Sequence, residues 1–193
     1  MLLRDACLIA LMPDEWLIKD VRGVLEKVER VGLGFRAENP RLLIVIFYDL
    51  YCPGCALLED EVGDYLVELY RGGKASLYFV DYPVHRGVEK LHAAFRCIYR
   101  RDPMVFLETM KRHYEAYLSG KLKGEEALID ANNDCINEEL QRVMEAKSVA
   151  KELGAPGTPT VIIGNLIKNV GQGMFGYPGA MKLMKLIEDM YVY

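Results

Sequence analysis

Hydrophobic positions along this chain fall into two rhythms. Leu42-Leu43-Ile44-Val45-Ile46-Phe47-Tyr48 is an unbroken apolar run, as a strand covered on both faces requires. It predicts the central strand of a sheet. From residue 56 to 70 the apolar positions recur at helical spacing instead. Leu58, Val62, Tyr65, Leu66 and Leu69 share one face, and Gly72-Gly73 closes the pattern. Residues 75–82 read as a further strand, ended by Pro83. Ahead of the central strand, residues 6–12 form a short apolar run stopped by Pro13, which predicts another strand. Asp14 is placed to cap a helix with Leu17, Val21, Val24 or Leu25, Val28 and Val31 on its apolar face and Gly32 at its end. Residues 32–39 are expected as loop, with Gly34 and Pro40 as breakers.

Residues 84–153 carry helical patterning throughout. Val88, Leu91, Phe95 and Ile98 make one stripe. Phe106, Met110, Tyr114 and Tyr117 or Leu118 make a second, after Pro103 at a first-turn position. Residues 125–132 suggest a short third helix. A fourth, residues 137–153, has Leu140, Val143, Ala146 or Lys147, Ala150 and Leu153 in register, with Gly154 as its cap. Strand character then returns in residues 160–163 and 166–170, flanking Gly164-Asn165 as a two-residue hairpin signal. Gly171-Gln172-Gly173 reads as loop and residues 178–191 as a final helix.

Composition narrows the function classes. The chain has 193 residues, 51% of them hydrophobic and 27% charged, with a net charge of −4. That suits one globular domain, or one domain with a large insertion. No basic surface adequate for nucleic acid stands out, and no apolar run approaches a membrane span. The apolar N-terminus lacks the h-region length and the small-residue cleavage site of a signal peptide, so the expected location is cytoplasmic.

The candidate chemistry lies between the central strand and the helix after it, at Cys52-Pro53-Gly54-Cys55. Two cysteines in a strand–loop–helix context point to redox work. A cysteine at a helix N-terminus faces unpaired N–H groups and the positive end of the helix dipole, which favour its thiolate. Cys52 is expected there with an exposed sulfur, and Cys55 more buried, one turn inside. Three cysteines remain of the five: Cys7, Cys97 and Cys135. They read as small buried hydrophobes, or as one further bridge, Cys97 with Cys135, plus a free thiol.

Two motifs, Phe47-Tyr48-Asp49-Leu50-Tyr51-Cys52-Pro53-Gly54-Cys55 and Leu153-Gly154-Ala155-Pro156-Gly157-Thr158-Pro159-Thr160, resemble those of the thioredoxin-fold superfamily. Within it the chain looks most like the DsbA family of thiol–disulfide oxidoreductases. Proline is the first inter-cysteine residue, a long helical stretch precedes the second motif, and the strand before that stretch ends Asp81-Tyr82-Pro83-Val84. The resemblance implies an α/β thioredoxin fold, a central mixed sheet with flanking helices and an inserted helical subdomain. Residues 1–83 and 155–193 would form the thioredoxin-like domain and residues 84–154 the insertion. It implies that Thr158–Pro159 is a cis-proline loop beside Cys52, with Thr158, Pro159, Pro53, Gly54 and Tyr51 lining the substrate site and Cys52 and Cys55 catalytic. It also implies protein substrates bearing disulfides or dithiols and a redox partner that resets the site, with no cofactor, metal, nucleic acid or membrane. One position departs from the family. The carboxylate usual six residues before the first cysteine is Ile46 here. Asp49 lies nearer the motif on another register and is expected at the sheet rim, as a solvated loop residue or as a group that helps move protons. The Pro-Gly dipeptide lacks the histidine of strongly oxidising members, which suggests a weaker oxidant.

Two rival readings use the same residues. Cys52 and Cys55 would supply half of a zinc site, but the remaining Cys97, Cys135, His85, His92 and His113 are scattered. A non-catalytic interaction module is the other, and both cysteines being present argues against it. His92 is expected to be partly buried in packing, His85 to sit on the rim near the site, and His113 on the surface. Phe47 and Tyr48 are expected to pack the sheet.

Overall fold

Strand β3 (Leu42–Tyr48) is buried at all seven positions. In this computed structural model, which describes residues 15–122 and 133–193, it pairs parallel with β4 (Ala75–Asp81) and antiparallel with β5 (Thr160–Asn165). Its even positions, with Ile44, Ile46 and Tyr48 among them, pack with α2 (Pro53–Arg71), α3 (Glu89–Arg101), α4 (Pro103–Leu118) and α6 (Ala180–Val192) through Leu66, Phe95, Met110 and Leu183. Its odd positions, Leu43, Val45 and Phe47, pack with Val21, Val24 and Val28 of α1 (Val21–Val31) and Ala146 and Ala150 of α5 (Asn133–Glu152). Two apolar layers meeting one strand explain why the run shows no alternation.

Among the described residues the sheet has six strands. β1 (Glu15–Ile18), β2 (Leu33–Phe35) and β6 (Val170–Phe175) complete it in the order β1-β6-β5-β3-β4-β2. Helices α3, α4 and α5 all fall between β4 and β5 in the chain.

Several expected boundaries move. The expected strand at residues 6–12, with Cys7, and the short helix at 125–132 lie outside the described residues. Leu17 belongs to strand β1, which pairs with β6, rather than to a helix. The helix begins at Val21, because the Asp20 side chain accepts the Gly23 N–H at 3.1 Å and caps it there. Residues 33–35 are the edge strand β2, too short to show a period. Gly34 lies against the Tyr78 ring, where a side chain would collide. The hairpin turn is not Gly164-Asn165. Asn165 ends β5, and its Oδ1 accepts the N–H groups of Ile167 and Lys168 at 3.0 and 2.9 Å, so the turn runs through residues 166–169. Gly171 and Gly173 are strand residues of β6. Gly173 lies beneath the Trp16 indole, and only a residue without a side chain fits there.

Cys97 and Cys135 form a disulfide, with Cα atoms 6.1 Å apart, that ties α3 to the first turn of α5. A bridge across 38 residues removes unfolded-state freedom, worth about 4 kcal/mol in the loop-closure view.

Candidate active site

The chain leaves β3 at Tyr48, turns through Asp49, Leu50 and Tyr51, and enters α2 at Cys52. The Cys52 N–H donates to Asp49 O at 3.0 Å and the Ala56 N–H to Cys52 O at 3.1 Å. Cys52 is thus the N-cap, and its sulfur lies near the Gly54 and Cys55 N–H groups without a well-aligned capping bond. It turns to the loop before β5, where the Cys52 thiol donates to the Thr158 carbonyl at 3.2 Å. The Thr158–Pro159 peptide is cis. Gly54 faces Pro159 so closely that a Cβ would stand 2.9 Å from the ring's Cδ. Cys52, Gly54, Thr158 and Pro159 therefore come together. Pro53 is exposed and Tyr51 half-buried against the core. Contrary to the expected exposed sulfur, Cys52 is only 5% exposed, because the Thr158 loop covers it. Cys55 is 3% exposed.

The two thiols are pushed apart in acidity. A hydrogen bond from the Cys55 thiol, outweighing burial and helped by the Thr158 side chain and the Cys55 and Gly54 N–H groups, lowers the Cys52 pKa from 9.0 to about 6. The Thr158 hydroxyl is buried and otherwise unpartnered, so its proton is available to the sulfur. Burial, then the bond to Cys52 and the charge on its sulfur, push Cys55 well up. The arrangement makes one nucleophile and one protonated reserve thiol. Ultraviolet titration of the reduced protein should show one thiolate forming near pH 6 and vanishing in Cys52→Ser. The sign for stability follows. A depressed folded pKa stabilises the reduced protein fully above 9.0, and that stabilisation is lost as pH falls through about 6.

Most of the polar frame of this loop comes from α3 and α4. The Leu50 N–H donates to His92 Nε2 at 3.3 Å, and His113 Nε2 donates to Leu50 O at 2.8 Å. Tyr114 and Tyr117 hydroxyls donate to Asp49 O and Tyr51 O, each at 3.1 Å. His92 is fully buried and is more than packing. With Nε2 accepting, its Nδ1–H donates to Asp81 Oδ1 at 2.7 Å. Asp81 also accepts from the Tyr48 hydroxyl and, at 2.6 Å, from Arg96 Nη1. Burial pushes the Asp81 pKa up, but the His92 bond and the Arg96 charge overcome it and the net shift is down. His113 is not on the surface. Its ring is half-buried, and burial lowers its pKa. In the sequence His113 read as a surface residue, and Tyr114 and Tyr117 or Leu118 as positions of an apolar stripe. The usable signal was that a stripe ending in polar tips needs partners.

Asp49 also departs from its expected place. It is fully buried, and its carboxylate accepts the N–H groups of Tyr51 at 2.7 Å, Val84 at 2.6 Å and His85 at 2.9 Å. Burial pushes its pKa up, yet these bonds, that of His85 foremost, bring the net down. His85 does sit on the rim, its side chain 46% exposed and its Nδ1 3.0 Å from Asp49 Oδ2. Among the described residues, no three His, Cys, Asp or Glu side chains gather as a metal ion would need. No described helix is long and apolar enough to cross a membrane.

Comparison with known proteins adds a family and a fold. A thioredoxin family model matches residues 37–171. No curated protein sequence matches. Among solved structures, Wolbachia pipientis α-DsbA1 aligns with a TM-score of 0.66 and 18% identity over 83% of this chain and 91% of that one. BdbD from Bacillus subtilis aligns at 0.66 and 13%, over 85% and 95%. The thiol–disulfide exchange protein α-DsbA2 from Wolbachia pipientis aligns at 0.61 and 20%, over 88% and 92%. Likeness at such identities is likeness of fold.

Proposed function

The chain belongs to the thioredoxin family, and from that premise we propose that it is a thiol–disulfide oxidoreductase acting on protein disulfides and dithiols through Cys52 and Cys55. The observation that carries this reading is the split pair. One thiol is tuned to ionise near pH 6 beside the Thr158 carbonyl, and its buried neighbour is held protonated. The structural neighbours that are disulfide-exchange proteins support it.

The Cys52 thiolate attacks a substrate disulfide, forming a mixed disulfide and releasing one substrate thiolate. Cys55 then displaces the second substrate sulfur, closing the Cys52–Cys55 bond. The substrate gains two electrons and the pair loses them. Run backwards, the same steps oxidise a dithiol. Stabilising the Cys52 thiolate favours the dithiol form and shifts the pair toward oxidation of its substrates, with a redox partner to reset it. Tyr51, Pro53, Gly54, Thr158 and Pro159 would contact the substrate chain around the sulfur.

Cys55→Ser tests the mechanism. The variant should trap substrates as mixed disulfides on Cys52, visible as added mass that dithiothreitol removes. A variant that turns over a dithiol substrate like the wild type would sink the two-cysteine mechanism.

A further inference from the structure

Two elements close over the Cys52 sulfur. One is the first turn of α2, which carries Gly54. The other is the loop of residues 155–159, whose Thr158 carbonyl accepts from the thiol. A Cβ on Gly54 would stand 2.9 Å from Pro159 Cδ, so the two elements are shut against each other, and Cys52 is 5% exposed. A polypeptide bonded to Cys52 through its own cysteine carries chain on both sides of that sulfur. To hold it, the loop has to part from α2.

Residues 176–179 are tied to that loop. The Gly176 N–H donates to Pro159 O at 2.8 Å, and Thr160 pairs with Phe175 across the sheet. The Phe175 ring lies against Gly157, where a Cβ would come within 2.8 Å of it. From there Gly176-Tyr177-Pro178-Gly179 runs as a strap into α6. Among the described residues its backbone bonds only at its two ends, through the Gly176 N–H and through Gly179 O, which accepts from the Leu183 N–H at 3.2 Å. Gly176 and Gly179 have φ of 81° and 91°, and a Cβ at either would meet nothing within 4 Å. Backbone conformation rather than packing selects glycine at both, and such positions can absorb the φ/ψ change of a hinge.

We propose that Tyr177 and Glu61 form a latch that sets the size of substrate reaching Cys52: small disulfides enter past the latched strap, and polypeptides enter when it swings away from α2. The proposal rests on the oxidoreductase reading above. The Tyr177 ring rests against the core, and its hydroxyl donates to Glu61 Oε2, on the exposed face of α2, at 2.7 Å. Among the described residues, and apart from bonds to the Cys52 sulfur itself, this is the hydrogen bond that joins α2 to residues 155–179. The bonds to the sulfur need a free thiol or thiolate. In a mixed disulfide the sulfur carries neither proton nor charge, and Tyr177–Glu61 is the tie that remains. An exposed hydrogen bond of ordinary net strength biases the latched state by about fivefold, which selects without sealing. Only the unlatched fraction takes a polypeptide, so the latch slows polypeptides by that fraction and leaves small disulfides alone.

The test compares two disulfides of different size. Reduced protein is mixed with dithiobis(nitrobenzoate) and, separately, with insulin, and the second-order rate of Cys52 attack is read for each. Tyr177→Phe removes the hydroxyl and keeps the ring. It should react with insulin about fivefold faster and with dithiobis(nitrobenzoate) at the wild-type rate. Glu61→Ala should do the same. The double variant should gain no more than either single one, because both remove the same bond. Glu61→Gln loses the charge but keeps an acceptor oxygen, and it should stay with wild type. An unchanged insulin rate in Tyr177→Phe overturns the latch. So does a slower one, which would make the hydroxyl a substrate contact, and so does equal acceleration of both probes. A wild-type protein inert to both probes overturns the oxidoreductase reading itself, and the latch with it.

Discussion

Cys52→Ser is expected to abolish disulfide exchange while leaving the fold intact. The hydroxyl that replaces the thiol does not ionise near neutral pH and forms no bond that exchanges with a disulfide, so no first step exists. The fold should hold for local reasons. Serine is close to cysteine in volume, the position is 5% exposed, and it is the N-cap of α2 with no side-chain capping bond. Serine is among the preferred N-cap residues but forfeits the stabilisation that the ionised Cys52 gives the reduced protein, so the comparison belongs below pH 6, where stability should stay level or rise by about 0.5 kcal/mol. Unchanged thermal unfolding together with complete loss of dithiol oxidation is the expected pair of results. Turnover within about tenfold of wild type would remove Cys52 from the nucleophile's role.

That experiment depends on features legible in the sequence. The apolar run of β3 and the helix after Cys52-Pro53-Gly54-Cys55 come from strong local patterns, and the proximity of Thr158 to Cys52 is what the family resemblance implied. The parts that were not legible share one physical reason, which is that their partners lie far along the chain. Asp49 looks like a solvated loop residue until Val84 and His85 arrive with their N–H groups. The α3 stripe Leu91 and Phe95 was visible, with His92 expected partly buried beside it, but nothing in the local pattern marks Arg96, one turn on, as buried. It is buried because α5 packs on that side. Ala93, Ala94 and Cys97 meet Ile136 and Val143 there, and the disulfide to Cys135 holds the two helices together. A helix covered on several sides shows no single clean apolar face. Short elements failed for a simpler reason. Three residues of β2 carry no period, and the Asn165 turn is made by a side chain rather than by the Gly-Asn pair.

Arg96 carries the largest expected effect on stability. Its Nη1 lies 2.6 Å from Asp81 Oδ2 and donates to Val31 O at 2.9 Å, while Nε donates to Glu139 Oε2 at 2.7 Å. Both carboxylates are buried, Asp81 fully and Glu139 with 2% of its side chain exposed. Arg96→Met keeps much of the side-chain volume and removes the charge. Asp81 then keeps only His92 and the Tyr48 hydroxyl, while Glu139 keeps Arg100 at 3.0 Å, and losing one partner of a buried ion pair costs about 3–5 kcal/mol. Guanidinium unfolding should report that loss at neutral pH. The gap should close in acid. Asp81 has a depressed folded pKa, so its stabilisation is present above the ordinary 3.8 and is lost as pH falls through the lower folded value. The injury should also reach the active site, since Asp81 positions His92 and His92 holds the Leu50 N–H. Adding Asp81→Asn and Glu139→Gln to Arg96→Met should recover part of the stability, because the cost lies in unpaired charge rather than in lost packing. A single variant as stable as wild type would mean that Asp81 and Glu139 are neutralised without Arg96, with His92 as the one remaining base in contact with Asp81.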